Sequence, residues 1–187
     1  MIKTTGASLP TMAISTIKKD EKGQPKRCKY RIVVLGTLDN HNWSKTDCFA
    51  PVLSQPELCL LTDIAVGMKR VPKSGDVLQA FCQGVLPKNE NYVLRPPPGC
   101  PQTPKNLYWR LLRTLYGLKR SPHHWYNKAV EVLTSIGLKK MANSNCIFSG
   151  VITKGQPPIY IGLYVDDFIY FIESDSVEKE FEKQFGA

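Results

Sequence analysis

Two short segments that contain β-branched and other apolar residues lie near the start of the chain, at 14–17 and 30–35. The stretch between them, 18–26, is rich in lysine and contains the turn formers Gly23 and Pro25. Two strands joined in this way predict a β-hairpin with positive charge at its tip. Two interpretations of the tip stay open: a surface hairpin that only improves solubility, and a contact for an anionic partner.

A helix is predicted after Ser54. Ser54 and Glu57 have the spacing of a capping box, and Pro56 falls in the first turn. The apolar residues that follow recur every three or four positions, which is the period of one helix face. We expect that face to lie against the core: Leu58, Leu61, Ile64, Ala65 and Met68.

Two further helices are predicted in the second half of the chain. Ser121, as N-cap, and Pro122 open the first of them, and Gly137 ends it. Its apolar stripe is Trp125, Ala129, Val132, Leu133 and Ile136. The second spans roughly 176–185. Hairpins mixed with separate helices favour an α+β fold.

The apolar run 159–172 is interrupted by two adjacent carboxylates, Asp166 and Asp167. Burying apolar surface is favourable by roughly 25 cal/mol per Å², whereas burying neighbouring carboxylates is costly unless a cation compensates them. Mg²⁺ at the tip of a hairpin would provide that charge. Asp76 is the best third ligand, and Asp63 on the predicted helix ranks lower. An Asp-Asp turn at the solvent edge is the alternative.

Four other residues fit a nucleotide substrate. Lys18, Lys19 and Arg31 can place positive charge on a triphosphate. Phe81 follows Asp76 by five residues, and an aromatic ring there can lie beneath the sugar and exclude a 2′-hydroxyl by its volume. The spacing is equally compatible with Phe81 as an ordinary core residue.

The charge balance favours a polyanionic partner. There are 25 Lys and Arg residues against 16 Asp and Glu, a formal net charge of +9, which is typical of nucleic-acid binding but also occurs on ordinary basic surfaces. The six cysteines lack zinc-ligand spacing, and several lie in apolar surroundings, which favours buried free thiols. No apolar run suits a membrane span or a signal peptide, so we expect a soluble intracellular protein.

Six motifs occur in an order that resembles the reverse transcriptases of copia-type retrotransposons. The resemblance covers about residues 9 to 187. The segments that carry it are Lys29-Tyr30-Arg31-Ile32-Val33, Phe49-Ala50-Pro51-Val52, Asp76-Val77 with Ala80-Phe81, Arg95-Pro96-Pro97-Pro98-Gly99, Leu115-Tyr116-Gly117-Leu118-Lys119 with Ser121-Pro122 and Trp125, and Tyr164-Val165-Asp166-Asp167.

The resemblance implies the fingers and palm of a right-hand polymerase, with an antiparallel palm sheet and the thumb absent. Residues of approximately 9–75 and 90–125 would form the fingers, and those of approximately 76–89 and 126–187 the palm. The implied activity is RNA-directed DNA polymerisation with two Mg²⁺ ions, which Mn²⁺ can replace. The implied partners are an RNA or DNA template with its primer, deoxynucleoside triphosphates and other parts of a polyprotein.

The resemblance also implies a role for each site residue. Asp76, Asp166 and Asp167 are the expected catalytic residues and, with Val77, the metal ligands. The expected nucleotide-binding residues are Lys18, Lys19, Arg31, Phe81, Tyr116 and Gly117. Tyr164 and Lys119 are expected to contact primer or template.

Two other functions compete with polymerisation. A remnant of such an element can keep nucleic-acid binding without turnover, and a metal-dependent nuclease uses similar carboxylates. The basic hairpin and Phe81 argue against the nuclease. The expected location is the cytoplasm, and virus-like particles and the nucleus are compatible compartments.

Overall fold

The computed structural model of the protein describes residues 8–100, 107–172 and 174–185. The chain forms two compact units and crosses between them three times. The first unit comprises the described parts of Met1–Cys48 and Phe81–His124, and the second those of Phe49–Ala80 and Trp125–Ala187.

Strands and helices are interspersed along the chain. The strands are β1 (Leu9–Lys19), β2 (Pro25–Val34), β3 (Lys73–Asp76), β4 (Val93–Arg95), β5 (Trp109–Arg110), β6 (Lys139–Lys140), β7 (Ile147–Gly150), β8 (Ile159–Tyr164) and β9 (Asp167–Phe171). The helices are α1 (Lys45–Cys48), α2 (Gln55–Gly67), α3 (Ala80–Gln83), α4 (Ser121–Ser135) and α5 (Asp175–Phe185), and a 3₁₀ turn covers Gly36–Leu38. The predicted α+β class is confirmed, whereas the right-hand polymerase arrangement stays a prediction.

The first unit is built on a sheet whose strand order, within the described residues, is β2-β1-β4-β5. Strands β1 and β2 form the predicted antiparallel hairpin. At its base, β1 pairs in parallel with β4 through Leu9 and Pro10. The core of this unit lies at that base and includes Val34, Leu94 and Leu118.

Beyond Thr11 the hairpin becomes a two-stranded ribbon, defined here as residues 12–33. Every ribbon residue of β1 is exposed. The tip is closed by Asp20, whose carboxylate accepts hydrogen bonds from the backbone N–H groups of Lys22, at 2.9 Å, and Gln24, at 2.8 Å. The ribbon therefore keeps its shape by strand pairing and by its turn, without a core of its own.

The second unit contains an antiparallel sheet whose strand order, among the described residues, is β3-β9-β8-β7-β6. Helix α2 packs on one face, where Leu61 and Ala65 are fully buried in a cluster with Phe171. Aromatic residues of α5 pack on Phe168. Alternation along β9 directs Ile169 and Phe171 toward α2, and Phe168 toward α5.

The predicted capping box at the start of α2 is confirmed. The Glu57 carboxylate accepts hydrogen bonds from the Ser54 backbone N–H and hydroxyl, both at 2.7 Å. It also accepts one at 2.5 Å from the hydroxyl of Ser144, a residue of the loop before β7. These hydrogen bonds, that from Ser144 foremost, lower the pKa of Glu57 below its ordinary value. Glu57 thus ties the first turn of α2 to the sheet.

Helix α4 ends as predicted but begins differently. The predicted N-cap, Ser121, is the first helical residue. Its hydroxyl donates to the Leu115 carbonyl at 2.6 Å, because the preceding loop folds back onto the helix. At the other end Gly137 has a φ of +93°, and the Leu138 N–H bonds the Leu133 carbonyl at 3.0 Å, which satisfies one of the last helical carbonyls.

Helix α2 lies in the second unit, where its apolar stripe packs on β8 and β9, and residues 81–89 fall in the first unit. The division into fingers and palm stays a prediction. One expectation needs correction: burial of the cysteines is only partly right, since Cys146 is buried but Cys28 and Cys59 are exposed. In the described part of the chain, no helix combines the length and the apolar character needed to cross a membrane.

Candidate active site

Strand register brings the three predicted carboxylate residues to one corner of the second unit's sheet. Asp76 is paired directly with Asp167 across β3 and β9. The Val77 N–H donates to the Asp166 carbonyl at 2.8 Å. This bond makes Asp76 and Asp167 a non-hydrogen-bonded pair, the type in which opposite side chains approach most closely. Residues some ninety positions apart in sequence are thus neighbours on one face.

The turn that carries Asp166 is strained. Tyr164 pairs with Asp167, so Val165 and Asp166 are the two central turn residues. Val165 has a φ of +56° and Asp166 does not have a positive φ, the pattern of a type II′ turn, which normally has glycine first. For a β-branched residue this backbone conformation is a genuine outlier.

Asp76 and Asp167 are exposed, and Asp166 is half-buried. The sequence predicted buried carboxylates at this turn. That prediction is wrong for Asp167, because the hairpin ends where the sheet meets solvent. Among the described residues, no group of three or more His, Cys, Asp or Glu side chains already lies close enough to hold a metal ion. The backbone brings the three Asp residues to one corner of the sheet, but their carboxylates do not converge on one point.

An open cleft of about 600 Å³ borders this corner. Asp76, Asp167 and the half-exposed ring of Tyr164 line one side, and Ser54 and Gln55 at the start of α2 line another. Gly75 lies in the same wall, where a Cβ would come within 2.3 Å of the Phe168 ring. The corner is thus open enough to admit a ligand, and its floor is closely packed.

Three predicted nucleotide-binding residues contact one another in the first unit. The Arg31 guanidinium lies over the Tyr116 ring, 5.2 Å from its centroid. The Phe81 ring meets the same tyrosine edge-to-face, with the centroids 5.3 Å apart. Phe81 is half-buried, so it is neither a fully buried core residue nor a free surface ring.

Gly117 follows Tyr116 and has a φ of +92°. A Cβ at this position would lie 2.0 Å from the Val34 carbonyl oxygen, and one at Gly36 would lie 2.0 Å from the Gly117 carbonyl oxygen. The Val34 N–H donates to the Tyr116 carbonyl at 2.8 Å. Close backbone approach therefore requires glycine at both positions, whether or not Gly117 also lines a nucleotide.

The ribbon carries its charge on one face. Lys18 pairs with Arg27, and the uncharged Thr16 and Ile14 pair with Lys29 and Arg31. Opposite and alternate residues share a face, so four cations lie together on the side where Arg31 meets Tyr116. Between the register shift and the base of the ribbon, the other face is uncharged: Ala13, Ser15, Ile17, Cys28, Tyr30 and Ile32. Lys19 and Lys26 lie at the register shift near the tip.

Residues 4–187 match the family model described as reverse transcriptase (RNA-dependent DNA polymerase). The chain belongs to this reverse transcriptase family. It is 29% identical over 156 residues to the retrovirus-related Pol polyproteins from transposons RE1 and RE2 of Arabidopsis thaliana. It is 28% identical over 153 residues to the one from transposon TNT 1-94 of Nicotiana tabacum.

These matches cover 82% to 83% of the chain and 10% to 11% of the relatives. The reverse transcriptase chain thus spans about a tenth of the length of the curated relatives it matches. The resemblance to copia-type Pol polyproteins is confirmed at this level. The family model and the relatives identify the kind of domain.

One predicted template contact of this reverse transcriptase chain has a partner within the protein. The Lys119 ammonium donates to the Asp39 backbone carbonyl at 2.9 Å. This hydrogen bond holds Lys119 against the loop that follows the 3₁₀ turn. Its contact with primer or template stays a prediction, and the structure gives it an internal role as well.

A buried polar network of the first unit was missed from the sequence. The Glu90 carboxylate, 1% exposed, binds Arg120 and His124. Asp39 accepts from His41 and from the Trp43 indole. Burial would raise the pKa of Asp39, but these hydrogen bonds outweigh it and hold that pKa below its ordinary value. Isolated acids beside polar residues such as Asn40 and Asn91 give no signal of burial, so only tertiary structure reveals this network.

Proposed function

We propose that this reverse transcriptase domain catalyses template-directed transfer of deoxynucleotides onto a primer 3′-hydroxyl. The observation that carries the proposal is the register of β3 and β9, which sets Asp76 opposite Asp167 and beside Asp166. Nucleotidyl transfer by two metals needs carboxylates from separate parts of the chain at one point. Carboxylate residues from two strands lie at this corner of the sheet, which supports the proposal.

The donor atoms available at the corner suit Mg²⁺. Carboxylate oxygens of Asp76, Asp166 and Asp167 and the Val77 carbonyl are hard ligands, and Mn²⁺ accepts the same set. When bound, two such ions lower the pKa of the primer hydroxyl and neutralise charge on the triphosphate and departing pyrophosphate. The protein's part is to present carboxylates from two adjoining strands, which side-chain rotation can direct at the same ions.

Four residues predicted from the sequence are proposed to contact the nucleotide. Arg31 is already oriented by the Tyr116 ring, and its planar guanidinium suits phosphate oxygens. Lys18 and Lys19 add charge near the ribbon tip. Phe81, against Tyr116, is the ring expected to exclude a 2′-hydroxyl. The partners proposed are an RNA or DNA template with primer, deoxynucleoside triphosphates and further segments of a Pol polyprotein.

A single-nucleotide addition assay tests this function without depending on processive synthesis. A labelled primer on an RNA or DNA template is incubated with the chain, one deoxynucleoside triphosphate, and Mg²⁺ or Mn²⁺. Asp166→Asn should reduce addition by more than the roughly 10–100-fold lost when groups that merely orient metal ligands are changed. Asp63→Asn, an exposed acid on α2, is the matched control and should retain activity.

The results separate the proposal from its alternatives. Addition that survives Asp166→Asn contradicts the assigned site. Template binding by the wild-type chain with no addition under either metal indicates a non-catalytic remnant. Shortening of the labelled strand, abolished by Asp166→Asn, indicates a nuclease.

A further inference from the structure

Two consecutive carbonyls of the Tyr164–Asp167 turn each receive a hydrogen bond from a different element. The Val165 carbonyl accepts from the Trp125 indole N–H of α4 at 2.7 Å. The Asp166 carbonyl accepts from the Val77 N–H at 2.8 Å. These carbonyls belong to the peptide groups on either side of the Asp166 Cα. Fixing both groups fixes the backbone of Asp166 and the direction in which its carboxylate leaves the chain.

The bond from Trp125 acts where the turn is least stable. Type I′ and type II′ turns differ mainly by a flip of the peptide between the two central residues. That peptide joins Val165 to Asp166, and its carbonyl is the one Trp125 holds. Val165 is unsuited to its positive φ, so its conformation persists only because surrounding groups determine it.

Trp125 is itself firmly placed. It is 5% exposed, and Ala129 and Leu133, farther along the same helix face, are fully buried. A buried indole N–H needs an acceptor, and the Val165 carbonyl fills that need. The sequence placed Trp125 in the apolar stripe of a helix and in one of the family motifs. The need of its indole N–H for an acceptor was the signal for a positioning role.

We propose that Trp125 is a positioning residue for the catalytic turn. Its indole N–H fixes the orientation of the Val165–Asp166 peptide. In this way it directs the Asp166 carboxylate toward the corner of the sheet that holds Asp76 and Asp167. The metal part of this inference rests on the proposed function, whereas the coupling between Trp125 and Val165 does not.

Trp125→Phe tests the inference because it keeps a buried ring and removes the N–H. Tyr126→Phe is the matched control: Tyr126 is the next residue of α4, and its hydroxyl donates to the backbone carbonyl of Asn145 at 2.8 Å, away from the turn. We expect Trp125→Phe to raise the Mn²⁺ or Mg²⁺ concentration for half-maximal nucleotide addition roughly tenfold. Tyr126→Phe should leave it unchanged.

A double-mutant cycle with Val165→Gly provides a measurement that needs no activity. Glycine accepts a positive φ without strain, so the turn should no longer depend on Trp125. In the chain that keeps Val165, Trp125→Phe should raise the unfolding equilibrium constant roughly tenfold. In the chain that carries Val165→Gly, the same change should raise it by less than about twofold. If Trp125→Phe alone does not fold, recovery of folding in the double variant supports the same conclusion.

The outcomes distinguish the two proposals. The positioning role is overturned if Trp125→Phe changes the unfolding equilibrium constant equally with Val165 and with Val165→Gly. It is also overturned if neither the single nor the double variant folds. Metal dependence that Trp125→Phe and Tyr126→Phe alter equally overturns it as well. A wild-type chain that adds no nucleotide contradicts the proposed function, and the unfolding cycle still decides whether Trp125 holds the turn.

Discussion

At the scale of single residues, Phe81 shows how a side chain can be constrained without being buried in a core. Its ring is half-buried and rests on Tyr116, which also receives Arg31. Ring pairs of this kind contribute roughly 0.5–1.5 kcal/mol beyond the area they bury. Phe81 therefore keeps a fixed position while part of its surface stays accessible, which is what a steric selector of the sugar requires.

We expect Phe81→Ala to weaken discrimination against ribonucleotides. Removing the ring opens the space that a 2′-hydroxyl needs, and steric pockets of this kind discriminate by roughly 10–200-fold. The measurement is the ratio of deoxynucleotide to ribonucleotide addition under single-turnover conditions. Phe81→Tyr keeps the ring and should keep the ratio; an unchanged ratio in an active Phe81→Ala variant would remove Phe81 from this role.

Individual residues differed in how far the sequence could identify them. Asp166 and Asp167 stood out because carboxylates interrupt an apolar run, and Asp76 followed once a third ligand was sought. The pairing of Asp76 with Asp167 depends on strand register, which side-chain type alone does not determine. The prediction of Ser121 as N-cap was wrong because its partner, the Leu115 carbonyl, lies in a loop whose path is set by tertiary packing.

At the scale of elements, the ribbon separates charge from neutral surface by strand register. Lys18 and Arg27 are direct cross-strand partners, and like charges in that relation destabilise a hairpin. A bound polyanion would relieve the repulsion and gain from both cations. The arrangement is therefore unfavourable for the free hairpin and favourable for one that binds phosphates.

Lys18→Gln combined with Arg27→Gln should weaken binding to a single-stranded oligonucleotide without lowering stability. The dependence of log affinity on log salt should become shallower by about 0.7 for each phosphate that the ribbon no longer neutralises. Fluorescence anisotropy at several salt concentrations gives the slope, and denaturant titration gives the stability. Lys139→Gln with Lys154→Gln, both exposed in the second unit, controls for net charge; equal effects of the two pairs on affinity would argue against a specific ribbon surface.

The elements were largely predictable because their signals are local. The hairpin, the capping box of α2 and the glycine stop of α4 each depend on residues a few positions apart. The packing of α2 against β8 was not predictable from local signals, since it involves Gly162 of β8. A Cβ at Gly162 would lie 2.5 Å from a Leu61 methyl, so glycine there allows the helix to lie directly on the strand.

At the scale of the whole molecule, ionisable groups join the last helix to the first strand of its sheet. Lys73 of β3 pairs with Glu178 of α5, and the Tyr170 hydroxyl of β9 donates to Glu178 at 2.9 Å. The bond from Lys73 is the main reason that the pKa of Glu178 falls below its ordinary value. Burial, aided by Glu178, raises the pKa of Tyr170 to about 12.

The free energy of unfolding should therefore decline toward both extremes of pH. Tyr170 keeps its proton longer when folded, so its contribution is complete below its ordinary pKa of 10.0 and is lost as pH rises toward about 12. Glu178 has a lowered pKa, so its contribution is present above its ordinary value of 4.5 and is lost at lower pH. Urea titrations across this range provide the measurement.

Single variants assign the two limbs of that profile. Tyr170→Phe should flatten the alkaline decline, and Glu178→Gln should flatten part of the acid decline. Tyr30→Phe, on the exposed ribbon, is the control and should leave both limbs unchanged. An alkaline limb that Tyr170→Phe leaves as steep as before would mean that other groups control it.

The backbones of Gly36 and Gly117 lie in close contact at the base of the ribbon. Backbone touches backbone there, with no side chain between to absorb movement. A displacement of the strand root would be passed to Tyr116 through the adjoining Val34 hydrogen bond. A methyl group added at Gly36 would lie 2.0 Å from the Gly117 carbonyl oxygen, so it would force the two segments apart and shift the tyrosine ring on which Arg31 rests.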